Sequence, residues 1–410
     1  MHDHAHTNHR RLSERTAGGG SRRVRAGPEP RPTGSADAAT TAIVEAVERV
    51  RDERHLRATI VEVRRGGDVV LREAWGESMA GVPATTTMHF RSGAVSIPQI
   101  STVLLQLVDE EVVSLDDPLA RWLPGVPHAD RVTLGQLAQM TAGYPDYVHD
   151  EEFVDALLAD PFRTWTPEEL YGVVADEPLL YEPGANWNYS HTDYVLLGLA
   201  LEKIEEAPLD EIIAERVLDR LGLTQTEDPG TPALQAPALH AFDAERRSFL
   251  GIPDGVPFVE DSSYWNPSWT LARGAVQNTD IADMASVIRA IGRGELLSTD
   301  SHELMIAPTL RGRTTAIDGC ATCFVQGEWY TYGYGIVLSG DWLLQNPLFA
   351  GYAGVAAYLP ADDVTIAVAT TYADAAFGPD GDVSGNAASA IFSAIAEVVA
   401  PGAKTPPPPS

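Results

Sequence analysis

The sequence has few positive charges, few cysteines and no long hydrophobic run. Its 410 residues include 29 basic and 58 acidic side chains, for a formal net charge of -29. Such a charge repels nucleic acids and anionic membranes. No apolar run reaches bilayer length, and the first forty residues lack the hydrophobic core of a signal peptide. We therefore expect a cytoplasmic protein with no nucleic-acid or membrane partner.

The only two cysteines form the motif Cys320-Ala-Thr-Cys323, which excludes a disulfide-dense secreted scaffold. A redox Cys-x-x-Cys normally opens a helix after a strand, whereas this motif lies in a stretch rich in Gly and Thr. We interpret the pair as an incidental feature of a loop, with a redox or metal-binding role as the alternative.

Two low-complexity segments bound the chain. Residues 1–37 are rich in His, Arg, Gly and Pro without apolar periodicity, which predicts a disordered tail. The ending PGAKTPPPPS makes residues 401–410 a Pro-rich tail. A hydrophobic content of 44% over the whole chain allows residues 38–400 to bury a large core.

The periodicity changes along this central region. Ile43, Val47 and Val50 recur at helical spacing, and the apolar segments 59–63 and 68–76 flank Gly66-Gly67 as in a β-hairpin. Near the other end, the alternating segment 364–371 predicts a strand, and a closing helix follows it. Helical patterns dominate between. We predict an α/β part at about 38–95 and 255–400, and a helical part at about 96–254.

Five ordered blocks carry a family resemblance. They are FRSGAV (90–95), LQLVDEEVVSLDDPLARWLPGVPHADRVTLGQLAQMTAGYPDY (105–147), YEPGANWNYSHTDYVLLGLALEKIEE (181–206), LDRLGLTQTED (218–228) and NPSWTLARGAVQNTDIADM (266–284). Over roughly residues 40–400 the chain resembles the serine β-lactamase and penicillin-binding protein superfamily, most of all its class C, esterase and D-aminopeptidase branch. The resemblance implies a β-lactamase-like fold of the α+β kind: an antiparallel sheet flanked by helices, an all-helical subdomain, and an active site in the cleft between them.

The residues at the family's catalytic positions differ from its pattern. Where relatives carry Ser-x-x-Lys at the start of a helix, this chain has Ala94 and Ile97, which can neither attack a carbonyl nor move a proton. Lys203 and Lys404 are the only lysines, and neither has a serine three residues before it. The family's Tyr-x-Asn corresponds to Tyr189-Ser190-His191, in which asparagine is replaced by a group that titrates near neutral pH.

The third family element, a Lys-Thr-Gly or His-x-Gly on a strand that lines the cleft, also lacks a cation here. An alignment without gaps places Gln345-Asn346-Pro347 at this element, and a gapped alternative places Tyr352 nearby. The loss of both nucleophile and base argues against an acyl-enzyme route. A displaced nucleophile at Ser92 or Ser96 is the alternative.

We therefore expect an enzyme without cofactor or metal that performs acid/base chemistry on a small organic metabolite. It would be a cyclase, isomerase or lyase of secondary metabolism, and we do not expect serine hydrolase activity. Tyr189 and His191 would move protons, and Arg273 or Gln345 would polarise a carbonyl. Ala94, Ile97, Tyr147, Tyr352 and Trp269 complete the predicted substrate site.

These assignments have alternatives in which the residues play structural roles only. Tyr189 is equally explained as a family relic, His191 as a packed histidine, Arg273 as the partner of Asp280, and Trp269 as core. Two other functions stay open: a non-catalytic protein that binds or sequesters a small molecule, and a hydrolase or transacylase with an unrecognised nucleophile. The sequence does not indicate an oligomeric state.

Overall fold

The computed structural model describes residues 34–407. The predicted disordered tail, residues 1–37, lies outside the described residues except for 34–37. The predicted Pro-rich tail, residues 401–410, is described as far as residue 407. The first described element is a helix that begins at Gly34. Residues 401–407 follow the last helix, and Ser393 donates a hydrogen bond from its hydroxyl to the carbonyl oxygen of Pro406.

Twelve α-helices are present in the described range. They are α1 (Gly34–Glu53), α2 (Ile97–Asp109), α3 (Leu134–Ala138), α4 (Glu151–Ala159), α5 (Pro167–Gly172), α6 (His191–Glu205), α7 (Leu209–Ile213), α8 (Asp219–Leu221), α9 (Arg246–Phe249), α10 (Ile281–Gly292), α11 (Thr299–Met305) and α12 (Ala387–Val399).

Thirteen strands accompany these helices in residues 34–407. They are β1 (Leu56–Arg65), β2 (Asp68–Met79), β3 (Val82–Pro83), β4 (Phe90–Arg91), β5 (Phe242–Asp243), β6 (Glu260–Asp261), β7 (Asn278–Thr279), β8 (Thr331–Tyr332), β9 (Val337–Ser339), β10 (Trp342–Gln345), β11 (Leu348–Phe349), β12 (Tyr352–Leu359) and β13 (Val364–Tyr372).

One nine-stranded antiparallel sheet joins the two ends of the chain. Its strand order is β3-β2-β1-β13-β12-β10-β9-β8, and β11 pairs with β12. The register sets Val61 opposite Val368 and Ala356 opposite Ala367. Helices α1 and α12 pack together, with α12 on β12 and β13, while α10 packs on β1, β12 and β13. The predicted antiparallel sheet flanked by helices is confirmed.

The central strands are apolar along their whole length rather than in alternation. Every residue of β12 and of β13 is buried. A strand covered by helices on both faces has no solvent side, so it does not need alternating polar residues. Accordingly, the segment 364–371 contains no charged residue.

The segment between β4 and β5 is mainly helical and contains α2 to α8. Eleven consecutive residues of α2, from Ile97 to Leu107, are buried. A helix that is apolar all round belongs in a core, and α2 contacts α6 and α7 of the helical part as well as α10 beside the sheet. Within residues 34–407, the search for a helix with the length and hydropathy of a bilayer span finds no candidate.

A buried carboxylate lies on β1 beneath α10. The Glu62 side chain is fully buried and forms ion pairs with Arg64 and Arg72. Arg64 also donates to the Ala282 carbonyl and the Ser286 hydroxyl, both in α10, at 3.0 Å. The hydrogen bond with Glu62 raises the pKa of Arg72. The ion pairs thus allow a charge inside the interface between the sheet and a helix.

We expect Arg64→Met to destabilise the fold by about 3 kcal/mol, because it leaves the Glu62 carboxylate buried with one partner fewer. Urea-induced unfolding measures the change. Arg49→Met is the matched control, because its pair with Glu53 is exposed on both sides and such pairs contribute about 1 kcal/mol or less. Equal losses for the two variants would show that the buried pair does not stabilise this interface.

Candidate functional site

A cavity of about 690 Å³ opens between the sheet and the helical part. Its walls come from the turn before α2, from α4, from the start of α6, from β10 and β11, and from the segments around residues 270 and 324. The lining residues are Gly93, Ala94, Val148, Phe153, Val154, Leu157, Leu158, Trp187, Tyr189, His191, Glu245, Trp269, Thr270, Leu271, Thr322, Phe324, Tyr330, Val337, Gln345, Asn346, Pro347, Leu348 and Phe349. We call this cavity the cleft.

The turn before α2 presents hydrocarbon to the cleft. Ala94 lies in the single 3₁₀ turn Gly93–Ser96 and lines the cavity. Ile97, the first residue of α2, is only 1% exposed and belongs to the hydrophobic core rather than to the lining. The predicted apolar floor is therefore formed by Ala94 alone.

Ser190 determines how its two neighbours enter the cleft. It is the N-cap residue of α6, with extended backbone, and its hydroxyl accepts a hydrogen bond from the Asp193 amide. Tyr189 precedes the cap, and His191 is the first helical residue. Both side chains line the cleft, with ring centroids 5.3 Å apart in an edge-to-face arrangement.

His191 forms a hydrogen-bonded pair with a buried carboxylate. Its Nδ1 lies 2.8 Å from Oδ2 of Asp146, whose side chain is only 2% exposed. An ionised carboxylate only accepts hydrogen bonds, so Nδ1 carries the proton and the neutral ring keeps a free lone pair on Nε2. Nε2 makes no hydrogen bond with any residue of the 34–407 range.

The loop that carries Asp146 is fastened to the start of α6. The Thr192 hydroxyl donates to the Pro145 carbonyl at 2.8 Å and accepts from the Tyr147 amide at 3.4 Å. Asp146 precedes a 3₁₀ turn but makes no capping hydrogen bond there. The Asp146 side chain thus bonds to His191 rather than capping the following turn.

Aromatic rings enclose the imidazole. The centroid of the Tyr147 ring lies 6.0 Å from that of His191, and the Trp269 ring centroid lies 6.4 Å away. Tyr147 itself is fully buried outside the lining, and its hydroxyl donates to the Trp269 carbonyl at 2.6 Å. These rings lie on the sides of the imidazole, whose Nδ1 bonds to Asp146.

Tyr189 stays a proton donor over the neutral range. Burial, with a smaller contribution from the negative charge of Asp146, raises the pKa of its phenol above the ordinary value. A phenol of raised pKa is a poor base but can donate a hydrogen bond to a developing negative charge. Among the two predicted proton-transfer residues, His191 is therefore the candidate base.

The remaining predicted site residues divide between the cleft and other places. Gln345, on β10, lines the cleft, and its amide donates to the Gly335 carbonyl at 2.8 Å. Tyr352 lies outside the lining because its hydroxyl points to the Leu239 carbonyl, 2.6 Å away. Arg273 is exposed and lines a different cavity of about 280 Å³, whose lining also includes Thr164 and Val276. It is not placed to polarise a carbonyl in the cleft.

The hydroxyl groups around Ala94 are engaged with the backbone. Ser92 donates to the Gln277 carbonyl at 3.0 Å and Ser96 to the Ala275 carbonyl at 2.7 Å, and neither lines the cleft. The two lining threonines, Thr270 and Thr322, also donate to carbonyl oxygens. Each of these four hydroxyls thus donates a hydrogen bond to a backbone carbonyl oxygen.

Three features of the cleft were not predicted from the sequence. Asp146 is one of them as the partner of His191, since 45 residues separate the two. The second is Glu245, an exposed carboxylate that lines the cleft. The third is a disulfide between Cys320 and Cys323 beside the lining residue Phe324. The Cys-x-x-Cys spacing was the only sequence signal for any of the three.

The antiparallel sheet flanked by helices is the fold of the β-lactamase-like class of proteins. The sequence profile of the Beta-lactamase family matches residues 43–387. The chain therefore belongs to the Beta-lactamase family, and the resemblance noted in the sequence is confirmed.

Three relatives illustrate the range of this family. Penicillin-binding protein 4* of Bacillus subtilis is 23% identical over 303 residues, which cover 72% of this chain and 61% of that protein. A D-stereospecific amidohydrolase from Streptomyces sp. has a similar structure, with TM-score 0.68 and 25% identity over 88% of this chain and 99% of that one. The D-amino acid amidase of Ochrobactrum anthropi SV3 superposes with TM-score 0.69 and 18% identity, covering 88% of this chain and 98% of that one.

These relatives correct the expected class of reaction. The sequence led to a non-hydrolytic acid/base catalyst, a cyclase, isomerase or lyase, and argued against serine hydrolase activity. That expectation is wrong: the similar proteins include an amidohydrolase and an amidase, which are hydrolases by name. The expectation rested on two residues, Ala94 and Ile97, whereas the family match covers residues 43–387.

Gly93→Ala should destabilise the protein by about 1–3 kcal/mol more than Gly81→Ala, as measured by urea-induced unfolding. Both glycines have a positive φ, +51° and +76°, so both variants carry the cost of a left-handed conformation. At Gly93, however, an added Cβ would lie 2.7 Å from Phe349 Cε1 and from Pro347 Cβ, whereas nothing lies within 4 Å at Gly81. Equal costs would mean that β11 does not pack tightly against the turn before α2.

Proposed function

We propose that this protein is a hydrolase of a small amide or ester, in which His191 and Asp146 activate a water molecule for direct attack on the carbonyl. The observation that carries the proposal is the 2.8 Å hydrogen bond from His191 Nδ1 to the buried Asp146 carboxylate. It leaves Nε2 as a hydrogen-bond acceptor on a residue that lines the cleft.

Water is the proposed nucleophile because the side chains that usually take this role are absent or engaged. Position 94 is alanine, the lining threonines donate to carbonyl oxygens, and both cysteines are joined in a disulfide. A histidine oriented by a carboxylate is a general base for water as well as for a serine hydroxyl. Ala94 leaves space on the cleft floor where a serine side chain would extend.

The proposed reaction balances as follows. His191 Nε2 takes a proton from water while the water oxygen bonds to the carbonyl carbon, and the Asp146 carboxylate stabilises the resulting imidazolium. The Tyr189 hydroxyl donates a hydrogen bond to the oxyanion of the tetrahedral intermediate. The carbon–nitrogen or carbon–oxygen bond then breaks, and the proton on Nε2 passes to the leaving group. The products are a carboxylic acid and an amine or alcohol.

The cleft favours a substrate of small size with apolar groups. Most of its lining is apolar, with seven aromatic residues: Phe153, Trp187, Tyr189, Trp269, Phe324, Tyr330 and Phe349. Such walls bind hydrocarbon, while a few polar groups fix the orientation of the scissile bond. By analogy with the D-stereospecific amidohydrolase and the D-amino acid amidase, amides of D-amino acids are the first substrates to test.

We expect His191→Gln and Asp146→Asn each to lower kcat by about 10²–10⁴-fold, because the first removes the base and the second removes the acceptor that orients it. Initial rates on a panel of D- and L-amino acid amides and p-nitrophenyl esters measure the effect. The best substrate of the wild-type chain serves for all variants.

His240→Gln is the matched control for this prediction. His240 also pairs through Nδ1 with a carboxylate, that of Asp261 at 3.0 Å, but it does not line the cleft. This variant should keep kcat within about twofold. Unchanged rates in His191→Gln and Asp146→Asn would exclude the pair from the mechanism.

We expect no covalent adduct when the intact protein is incubated with benzylpenicillin or with an activated ester and examined by mass spectrometry. Neither Ala94 nor the engaged hydroxyls can hold an acyl group. Ala94→Ser is the matched comparison, since it restores a hydroxyl at the cleft floor within the same fold. A stable adduct on the wild-type chain would replace the proposed water mechanism with an acyl-enzyme mechanism.

A second candidate function is binding of a small molecule without turnover. The apolar Ala94 at the cleft floor and the absence of lysine and arginine from the described lining favour it. Incubation of a bound amide with the protein separates the two functions, because only a hydrolase releases acid and amine. Saturable binding with an unchanged ligand after prolonged incubation would support this second candidate.

A further inference from the structure

The cleft wall around Phe324 is built from a segment without regular secondary structure. Residues 306–330, between α11 and β8, contain no helix or strand. Such a segment lacks the hydrogen-bond ladders that stabilise helices and sheets, and it opens more easily than they do. Its position therefore depends on a few specific cross-links.

Two of these cross-links join the segment to the residues before α6. Asn186 exchanges two hydrogen bonds with the backbone of Thr315, at 2.9 and 3.0 Å. Farther along, the Thr322 hydroxyl lies 3.4 Å from the Tyr189 carbonyl. The second contact is long, so it holds Thr322 near Tyr189 only if the backbone around it is already fixed.

The Cys320–Cys323 disulfide restricts that backbone, together with the hydrogen bond that the Thr314 hydroxyl donates to the Phe324 carbonyl at 2.8 Å. It closes a four-residue turn whose second cysteine is 5% exposed, and the residues on either side of this cysteine, Thr322 and Phe324, both line the cleft. A disulfide limits the conformations of the chain that it closes. It thus restricts the direction in which Phe324 leaves the turn.

Phe324 completes a cluster of aromatic rings. Its ring centroid lies 5.3 Å from that of Trp187 and 5.2 Å from that of Tyr330, both nearly edge to face, and Trp187 and Tyr330 are 5.7 Å apart. Trp187 is almost fully buried, whereas Phe324 and Tyr330 are half-buried. The cluster offers ring faces and edges to any group in this part of the cleft.

We propose that the Cys320–Cys323 disulfide is a positioning element that holds Phe324 against the cleft, and that Phe324, with Trp187 and Tyr330, selects ligands with an aromatic or bulky apolar group. The inference rests on the proposed function because it concerns the ligand of the same cleft. Reduction of the disulfide to two thiols, with two electrons and two protons from a dithiol that is itself oxidised to a disulfide, releases the turn and weakens this selection.

The experiment compares D-phenylalanine amide with D-alanine amide, which differ by one ring. Dissociation constants from isothermal titration calorimetry, measured on the oxidised full chain with His191→Gln so that hydrolysis adds no heat, should favour the ring by about tenfold or more. In dithiothreitol the preference should fall to about threefold or less. Phe324→Ala should show the same fall without reductant, and reduction of Phe324→Ala should change nothing further, since two changes that act through one contact are not additive.

Control variants distinguish displacement of Phe324 from a general loss of structure. Val325→Ala alters the exposed neighbour of Phe324, which does not line the cleft, and should keep both the ring preference and its sensitivity to dithiothreitol. Cys320→Ser/Cys323→Ser should match the reduced protein in air. Near-ultraviolet circular dichroism and the urea midpoint check that each variant is folded. If the amides are turned over, the loss should appear in KM while kcat stays within about twofold.

Two results would overturn this inference: a ring preference unchanged by reduction, or effects of reduction and of Phe324→Ala that add. Neither depends on turnover, because the titrations are made in the His191→Gln background, which lacks the proposed base. Loss of the proposed function would instead appear as amides that bind and discriminate the ring but are recovered intact after incubation with the wild-type chain. The two proposals therefore fail in different measurements.

Discussion

The hydrogen bond between Asp146 and His191 is the constraint on which the chemistry of the cleft depends. Asp146 is buried, and its second carboxylate oxygen has no hydrogen-bond partner in residues 34–407. A buried carboxylate with an unpaired oxygen is destabilising unless its remaining contact is strong. Here that contact is with a ring enclosed by aromatic side chains, so the same interaction determines the tautomer, the orientation and the accessible nitrogen of His191. The structure accepts a local cost at this point, as functional sites commonly do.

The apolar floor formed by Ala94 has consequences beyond the missing hydroxyl. A serine and a lysine at positions 94 and 97 would bring a hydroxyl and an ammonium group to the start of α2, whereas alanine and a buried isoleucine present hydrocarbon there. Electrostatic interactions are stronger in apolar surroundings than in bulk water. Charge that develops near His191 therefore interacts strongly with Asp146 and with the Tyr189 hydroxyl.

Sequence patterns predicted the fold better than the site, for a physical reason. Long Val- and Ile-rich segments such as 364–371 have few stable alternatives to a buried strand, and the family blocks supplied their order. Tyr189 and His191 could be placed together because a single cap residue separates them. Arg273 and Tyr352 could not be placed, since the direction of a side chain on a turn or at a strand end depends on its hydrogen bonds with distant residues; for Tyr352 this partner is Leu239. The pairing of Asp146 with His191 could not be predicted, because proximity across 45 residues leaves no periodic signal.

The disulfide connects the ligand preference of the cleft with its surroundings. Disulfides persist in oxidising compartments and are generally reduced in the cytosol. A reducing compartment therefore predicts a reduced Cys320–Cys323 pair, whereas an oxidising compartment would keep the bond. Cys320 is only half-buried, so small reductants can reach its sulfur. Because Phe324 follows directly after the second cysteine, the same chain would have a more restricted cleft in an oxidising compartment and a more permissive one in a reducing compartment. The compartment thus becomes one of the determinants of which ligands the cleft accepts.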